Sequence, residues 1–282
     1  MITHQGQTYK VVVVTPAGRE KYLSIFKNFI YRKMDDGLVD GWQLWQNTVD
    51  AVDIAYLASM EAENPKVKRY FVENIVPTYD TYDALRTCEF FKNCHDDDTI
   101  YIRFDDDIVW AEEDAIEKIC IARIEHPDAL VIYPNVINST IISRWHQDNG
   151  ALGKEAGECN GEYLHEFAYA DSGLIELIHQ TFQKHYANGT LSAYYLPSRS
   201  FDNYQHFSIC SIAFWGKDKL VPGSLEEQWL SWERPFELQR PNWFCGDAVV
   251  VHFAYHTQRK FIDTKPEYLE FYKTITKPYV AR

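Results

Sequence analysis

Three consecutive aspartates, Asp105, Asp106 and Asp107, follow directly on the apolar run TIYIRF, Thr99 to Phe104. Adjacent carboxylates repel one another, so a chain that keeps three together must compensate them. Helix capping is one role: an aspartate ahead of the amphipathic stretch Ala111 to Glu125 would accept backbone N–H bonds at the positive end of the helix dipole. Capping employs one carboxylate and leaves the others unexplained. A divalent cation would relieve the whole run, because hard ions such as Mg2+ or Mn2+ take oxygen ligands and bridge protein carboxylates to substrate phosphates. Residues two apart in an extended segment point the same way, so Asp105 and Asp107 would face one site, a D-x-D arrangement, while Asp106 turns elsewhere.

The elements that must position this run can be read from periodicity. KVVVV, Lys10 to Val14, has the pattern of a strand buried on both faces, TPAG after it that of a turn, and Tyr22, Ile25, Phe26, Phe29 and Ile30 recur at helical spacing. WQLW, Trp42 to Trp45, reads as a second strand, Asp53 to Glu61 as a helix, Lys68 to Ile75 as a third strand, Thr81 to Phe91 as a helix, and TIYIRF as a fourth strand. A helix over AEEDAIEKICIARIEH and a strand from Ala129, ALVIYPNVI, continue the alternation. Strands alternating with helices over about the first 135 residues predict a mostly parallel sheet covered on both faces, with ligands gathering at the carboxyl ends of its strands. The TPAGR loop and the aspartates both follow strands, so both belong on that edge. From Asn138 to about Asp202 the pattern weakens into a Gly-, His- and Tyr-rich stretch read as loops or short elements. Order returns with SICSIAFWGKD, Ser208 to Asp218, and GDAVVVHFAYHTQR from Gly246, and Pro266 to Tyr272 reads as a short helix.

Composition bounds the partners. With 41 acidic and 28 basic side chains among 282 residues, the formal charge of -13 repels nucleic acid, polyphosphates and anionic membranes, so a phosphorylated ligand needs a local cation. No stretch approaches the roughly 18 apolar residues of a membrane span, and MITHQGQTYK lacks the regions of a signal peptide, which leads us to expect a cytoplasmic protein without a transmembrane segment. The 6 cysteines show no CxxC pairing and suit reduced thiols; Cys88, Cys94 and His95 match no usual zinc spacing.

Several pieces in order, VVVVTPAGRE, GWQLWQNT, IYIRFDDDIVW, ICSIAFWGKD, LEEQWLS and GDAVVVHFAYHTQR, resemble the metal-dependent nucleotide-sugar glycosyltransferases of the GT-A fold, most of all their small bacterial and large-virus members. The resemblance covers most of the chain. It implies a single domain over residues 1–282: a mostly parallel, Rossmann-like central sheet flanked by helices, a nucleotide-sugar-binding half to about residue 110, a mixed acceptor-side portion over about 111–265, and a helical tail over 266–282. It implies transfer of a sugar, from a UDP-sugar in our reading, to a hydroxyl of a glycan or glycoconjugate, by an inverting route. Asp105 and Asp107 would then hold Mn2+ or Mg2+ against the donor diphosphate, with one aspartate also touching the ribose and Asp106 beside them in the donor site. A late histidine would complete the metal site, with His252 preferred to His256 because VVVHF reads as strand. The acidic pair Glu226 and Glu227 would supply the general base, Glu227 first, although aspartate is commoner at its position. Thr15, Pro16, Ala17 and Arg19 would seat the nucleotide and phosphates, and Asn47 and Thr48 the base or ribose. Arg86 and Arg103 are further donor-site candidates, and Trp215, Trp229 and Trp232 could stack on a sugar, with Trp232 fitting the core better.

Two rivals remain. DDDIV also spells the D-x-D-x-V of haloacid-dehalogenase-like phosphatases, in which Asp105 attacks phosphorus and Asp107 protonates the leaving group, yet that motif normally follows a first strand. A non-catalytic, cation-dependent sugar- or nucleotide-binding module would use the same aspartates for recognition alone.

Overall fold

In the computed structural model, residues 1–77, 88–159, 172–201, 207–220, 230 and 233–279 are described. Along the chain come β1 (Ile2–His4), β2 (Gln7–Ala17), α1 (Glu20–Asp35), β3 (Gly41–Gln46), α2 (Ala51–Glu63), β4 (Val67–Phe71), β5 (Thr99–Phe104), β6 (Ile108–Ala111), α3 (Ala115–Glu125), β7 (Ile132–Ile137), α4 (Thr140–Asp148), α5 (Ser172–Ala187), β8 (Arg199–Phe201), β9 (Ser211–Trp215), α6 (Arg234–Leu238), β10 (Asn242–His252), α7 (His256–Ile262) and α8 (Pro266–Ile275).

These strands form one sheet in the order β4-β3-β2-β5-β9-β7-β10-β6, with β1 added to β2 and β8 to β10. Strands β2, β3, β4 and β5 run parallel, β7 and β10 run parallel, and β9 lies antiparallel to both β5 and β7. It follows that six strands share one direction and end on one edge. Helices flank the sheet, and the architecture is a mostly parallel α/β arrangement. Val11, Val13 and Val14 are wholly buried, as a valine run in a central parallel strand must be. Between β2 and β5 the chain order reverses, since β3 and β4 lie to one side of β2 and β5 to the other. Such a switch point opens a crevice at the strand ends. The loop after β2 and the aspartates after β5 flank it.

Several boundaries differ from the sequence reading. The TPAG segment is no turn: β2 continues through Pro16 and Ala17, paired with Trp45 and Gln46 of β3. Pro16 lies beyond Val14, the last residue paired with β5, in the stretch of β2 bonded to β3 alone. The strand after the aspartates, β6, was hidden inside a helical pattern; it pairs antiparallel with β10, and the helix begins only at Ala115. The aspartates therefore do not cap α3, whose cap position is Asp114 and whose start lacks a side-chain cap bond. Two helices, α4 and the 16-residue α5, occupy the stretch read as loops. Most of the segment expected to be a helix over Thr81 to Phe91 falls within residues 78–87, outside the described residues, and Glu89–Asn93 is a short 3-10 turn.

Candidate functional site

The aspartates sit in a tight turn between β5 and β6, closed by the Ile108 N–H donating to the Asp105 carbonyl at 3.1 Å. Neighbours clamp the turn on both sides. The Asp105 N–H donates to the Cys210 carbonyl at 2.8 Å, and the Phe253 N–H donates to the Asp107 carbonyl at 2.8 Å. In a turn the two-residue alternation of a strand lapses. Each carboxylate accordingly goes its own way.

Asp105 accepts from Arg103 Nε at 2.8 Å; the Arg103 side chain is 3% exposed and that of Asp105 20%. Asp106 is fully buried. Its Oδ2 accepts the Gly18 N–H at 2.7 Å, and its Oδ1 accepts Arg19 Nε at 2.8 Å together with a second Arg19 nitrogen. Burial raises the Asp106 carboxyl to about 7 against the pull of Arg19, with Asp107 and Asp105 adding to the rise. Asp106, placed by sequence beside the donor, is thus turned inward and anchors the loop after β2.

Asp107 gathers the most charge. Arg259 of α7 donates to its Oδ2 at 2.7 Å, and Arg19 lies 3.3 Å from the same oxygen. His252 Nε2 stands 3.5 Å from Oδ1, too far for a good hydrogen bond, and this buried oxygen accepts none. Burial alone would raise the Asp107 carboxyl; Arg19 and then His252 overrule it and hold it near 2. The reverse acts on His252, where burial lowers the pKa but the Asp107 carboxylate more than restores it, leaving it raised.

His252 ends β10, as its strand pattern predicts, and is 3% exposed. Its Nδ1 donates to the Asn138 carbonyl at 3.2 Å, which directs Nε2 at Asp107. An imidazole oriented by a backbone carbonyl through its other nitrogen is the arrangement of a metal-ligating histidine. His256 is exposed at the first turn of α7, so His252 and His256 share no helix face.

The remaining sequence candidates lie around this centre. Thr15 is buried and accepts Trp42 Nε1 at 2.9 Å, and Ala17, Asn47 and Thr48 are buried at the ends of β2 and β3. Asp53 ties the two loops together, accepting the Glu20 N–H at 2.8 Å and the Thr48 hydroxyl at 3.3 Å. Trp215 is 3% exposed and packs on Tyr9, ring centroids 5.1 Å apart, so it offers a sugar no stacking face. Arg86, Glu226, Glu227, Trp229 and Trp232 lie outside the described residues.

Two positions at this centre escaped sequence reasoning. Arg259 closes the motif GDAVVVHFAYHTQR, and a cation seven residues beyond a strand-end histidine was the available signal. Asn138 follows β7 with a φ of 64°, a left-handed conformation that asparagine tolerates better than most side chains. Its Nδ2 donates to the Phe253 carbonyl at 3.0 Å and to Gln258 Oε1 at 3.1 Å, so one residue holds both His252 and the start of α7.

Among the described residues no group of three His, Cys, Asp or Glu side chains is assembled as a metal site. The charge excess that argued for a metal is instead met in good part by Arg103, Arg19 and Arg259. Asp107 Oδ1 and His252 Nε2 nonetheless fit a divalent ion as a pair, because a buried carboxylate oxygen without a hydrogen bond faces an oriented imidazole nitrogen. No protein-family model matches this chain and no curated protein matches its sequence, so the functional reading stands on the chain's own residues.

Proposed function

We propose that this chain is a glycosyltransferase of GT-A type that moves a sugar from a nucleotide-sugar donor, a UDP-sugar in our reading, to a hydroxyl of a glycan or glycoconjugate. One observation carries the reading. At the carboxyl edge of a parallel sheet, beside its switch point, Arg19, Arg259 and His252 converge on Asp107. In a chain of net charge -13 these basic groups offset the aspartates locally, so an anionic ligand meets less repulsion here than elsewhere.

Expulsion of a nucleoside diphosphate builds negative charge on the leaving oxygen, and preorganised cations stabilise it. Asp107 and His252 would hold Mn2+ or Mg2+, with Asp105, two residues earlier in the turn, as the further carboxylate; the ion would serve as a Lewis acid toward the diphosphate. Arg19, locked by Asp106, presents a fixed guanidinium beside the same position. Asn138 keeps the His252 ring aimed, and the turn clamped by Cys210 and Phe253 keeps Asp107 in place. The acceptor hydroxyl needs a base, for which Glu227, with Glu226 beside it, stands as the proposal.

A panel of nucleotide sugars, followed by calorimetry with and without Mn2+, tests this. Tight, Mn2+-dependent binding of one donor with release of its nucleoside diphosphate supports the proposal. Binding without turnover favours the recognition module, and orthophosphate release from a phosphomonoester favours the phosphatase; either outcome defeats it.

A further inference from the structure

At the end of α1 remote from the aspartates, a cavity of about 170 Å3 lies between α1, β6, α5 and the segment that follows α8. Arg32, on its wall, is thirteen residues beyond Arg19, about 20 Å along the helix, so the cavity is separate from the candidate site. Phe29, Trp110 and Tyr186 wall it with aromatic rings, and Arg32, Glu113, Thr276 and Lys277 supply its polar lining. A cavity of about 150 Å3 accommodates one benzene ring, so this volume suits a single six-membered ring with a small substituent.

Two polar groups give the cavity a chemical preference. Thr276 is 6% exposed, and its buried hydroxyl has no hydrogen-bond partner, a deficit that a ligand oxygen would make good. Arg32 is anchored through Nη1, which donates to the Asn28 carbonyl at 3.2 Å and to the Lys277 carbonyl. Its Nη2 stands 3.6 Å from Glu113 Oε2, beyond hydrogen-bond range, while Lys33 takes the Glu113 carboxylate directly. Burial would raise the Glu113 carboxyl, but Lys33, then Arg32 and Lys277, hold it below its ordinary value. With Glu113 neutralised by Lys33, the charges left along the lining are those of Arg32 and Lys277, and they call for an anion.

We propose that this cavity is a second binding site, for a six-membered ring carrying one carboxylate: the ring lies against Phe29, Trp110 and Tyr186, and the carboxylate meets Arg32 and Lys277. The Thr276 hydroxyl bonds to the carboxylate or to a ring oxygen. A guanidinium already fixed by two backbone carbonyls presents its remaining donors to a carboxylate at little cost in ordering. A uronic-acid unit of a glycan and a free ring acid share this chemistry. The site stands apart from the glycosyltransferase reading, because none of its residues belongs to the candidate site.

The test is titration of the full chain with glucuronate, glucose and cyclohexanecarboxylate, followed by saturation-transfer NMR. At least one of the two acids should bind with a Kd of about 1 mM, the range of a single-ring ligand, and glucose, a ring without the charge, about tenfold more weakly than that acid. Tighter binding of glucuronate assigns the site to a sugar acid and tighter binding of cyclohexanecarboxylate to a free ring acid; both uphold it. Arg32→Gln should weaken the preferred acid about tenfold or more, and Lys277→Gln about threefold. Thr276→Val removes a hydroxyl that bonds to nothing in the fold, so it should leave the urea midpoint unchanged or higher while weakening the acid about threefold. Absence of binding by either acid up to about 20 mM overturns the proposal, as does glucose binding as tight as that of the preferred acid. So does acid affinity unchanged in both Thr276→Val and Lys277→Gln, a result that decides the matter even where Arg32→Gln fails to fold.

Discussion

Replacing Asp106 with alanine probes whether the middle aspartate anchors the loop or serves the ligand. The carboxylate has no exposed surface and accepts the Gly18 N–H at 2.7 Å and Arg19 Nε at 2.8 Å, besides a second Arg19 nitrogen. Its removal orphans the Gly18 N–H, a loss of about 1–3 kcal/mol. It also takes the main partner from Arg19; breaking a fully buried pair costs about 3–5 kcal/mol. Three features reduce that sum. Arg19 is 14% exposed, it retains Asp107 at 3.3 Å, and burial already raises the Asp106 carboxyl to about 7, so the ion pair is partly spent on desolvation. We therefore expect Asp106→Ala to destabilise the fold by about 3 kcal/mol, and Asp106→Asn, which keeps an acceptor for Gly18, by about half as much. Urea unfolding followed by tryptophan fluorescence reads this as a lower midpoint at unchanged slope. A loss below about 0.5 kcal/mol, the size of an ordinary surface substitution, would refute the anchoring role.

Two further outcomes follow from buried polar groups. Burial pushes His146 down to about 3 and His179 to about 4, so both are neutral in the fold while the unfolded chain protonates near 6.5. The unfolded state then binds more protons, and stability is lost as pH falls from about 6.5 toward those values, by up to about 1.4 kcal/mol per pH unit for each group. His179→Gln should flatten the slope between pH 4 and 6, and an unchanged slope would contradict the assignment. Asn138→Ala gives up three side-chain hydrogen bonds, to Phe253 and Gln258, in a left-handed position, for about 2–4 kcal/mol, and should weaken Mn2+ binding by loosening the backbone carbonyl that orients His252; unchanged stability and metal affinity together would speak against its bracing role.

Much of the sheet was legible because its strands are buried on both faces and carry unbroken apolar runs. Val11 to Val14 and Thr99 to Phe104 are the clearest cases, and their ends set the edge on which Arg19 and the aspartates meet. The apolar face of α1 was likewise plain: Tyr22, Ile25, Phe26, Phe29 and Ile30 are all buried. What failed was local. Ile108 to Ala111 is short and borders a helical pattern, so periodicity merged β6 into α3, and with it went the turn that points the three carboxylates apart. The compensation of the aspartates was invisible for a different reason. Arg19 lies 87 residues from Asp106 and Arg259 lies 152 from Asp107 along the chain, and no short-range pattern couples such distant positions. His252 was placed at its strand end correctly because the valine run before it marks a buried strand; its orientation by Asn138 is a tertiary contact.

The central claim is that Asp107 lies at the heart of a site that helps a nucleotide sugar shed its diphosphate. Asp107→Asn is the sharpest probe, since asparagine keeps the volume and a carbonyl oxygen while removing the charge that Arg19, Arg259 and His252 converge upon. Release of nucleoside diphosphate from the donor, measured with Mn2+ and again with the ion chelated, should be Mn2+-dependent in the wild type and fall by about a hundredfold or more in the variant. Undiminished release by Asp107→Asn, or equal wild-type release after chelation, would contradict the account.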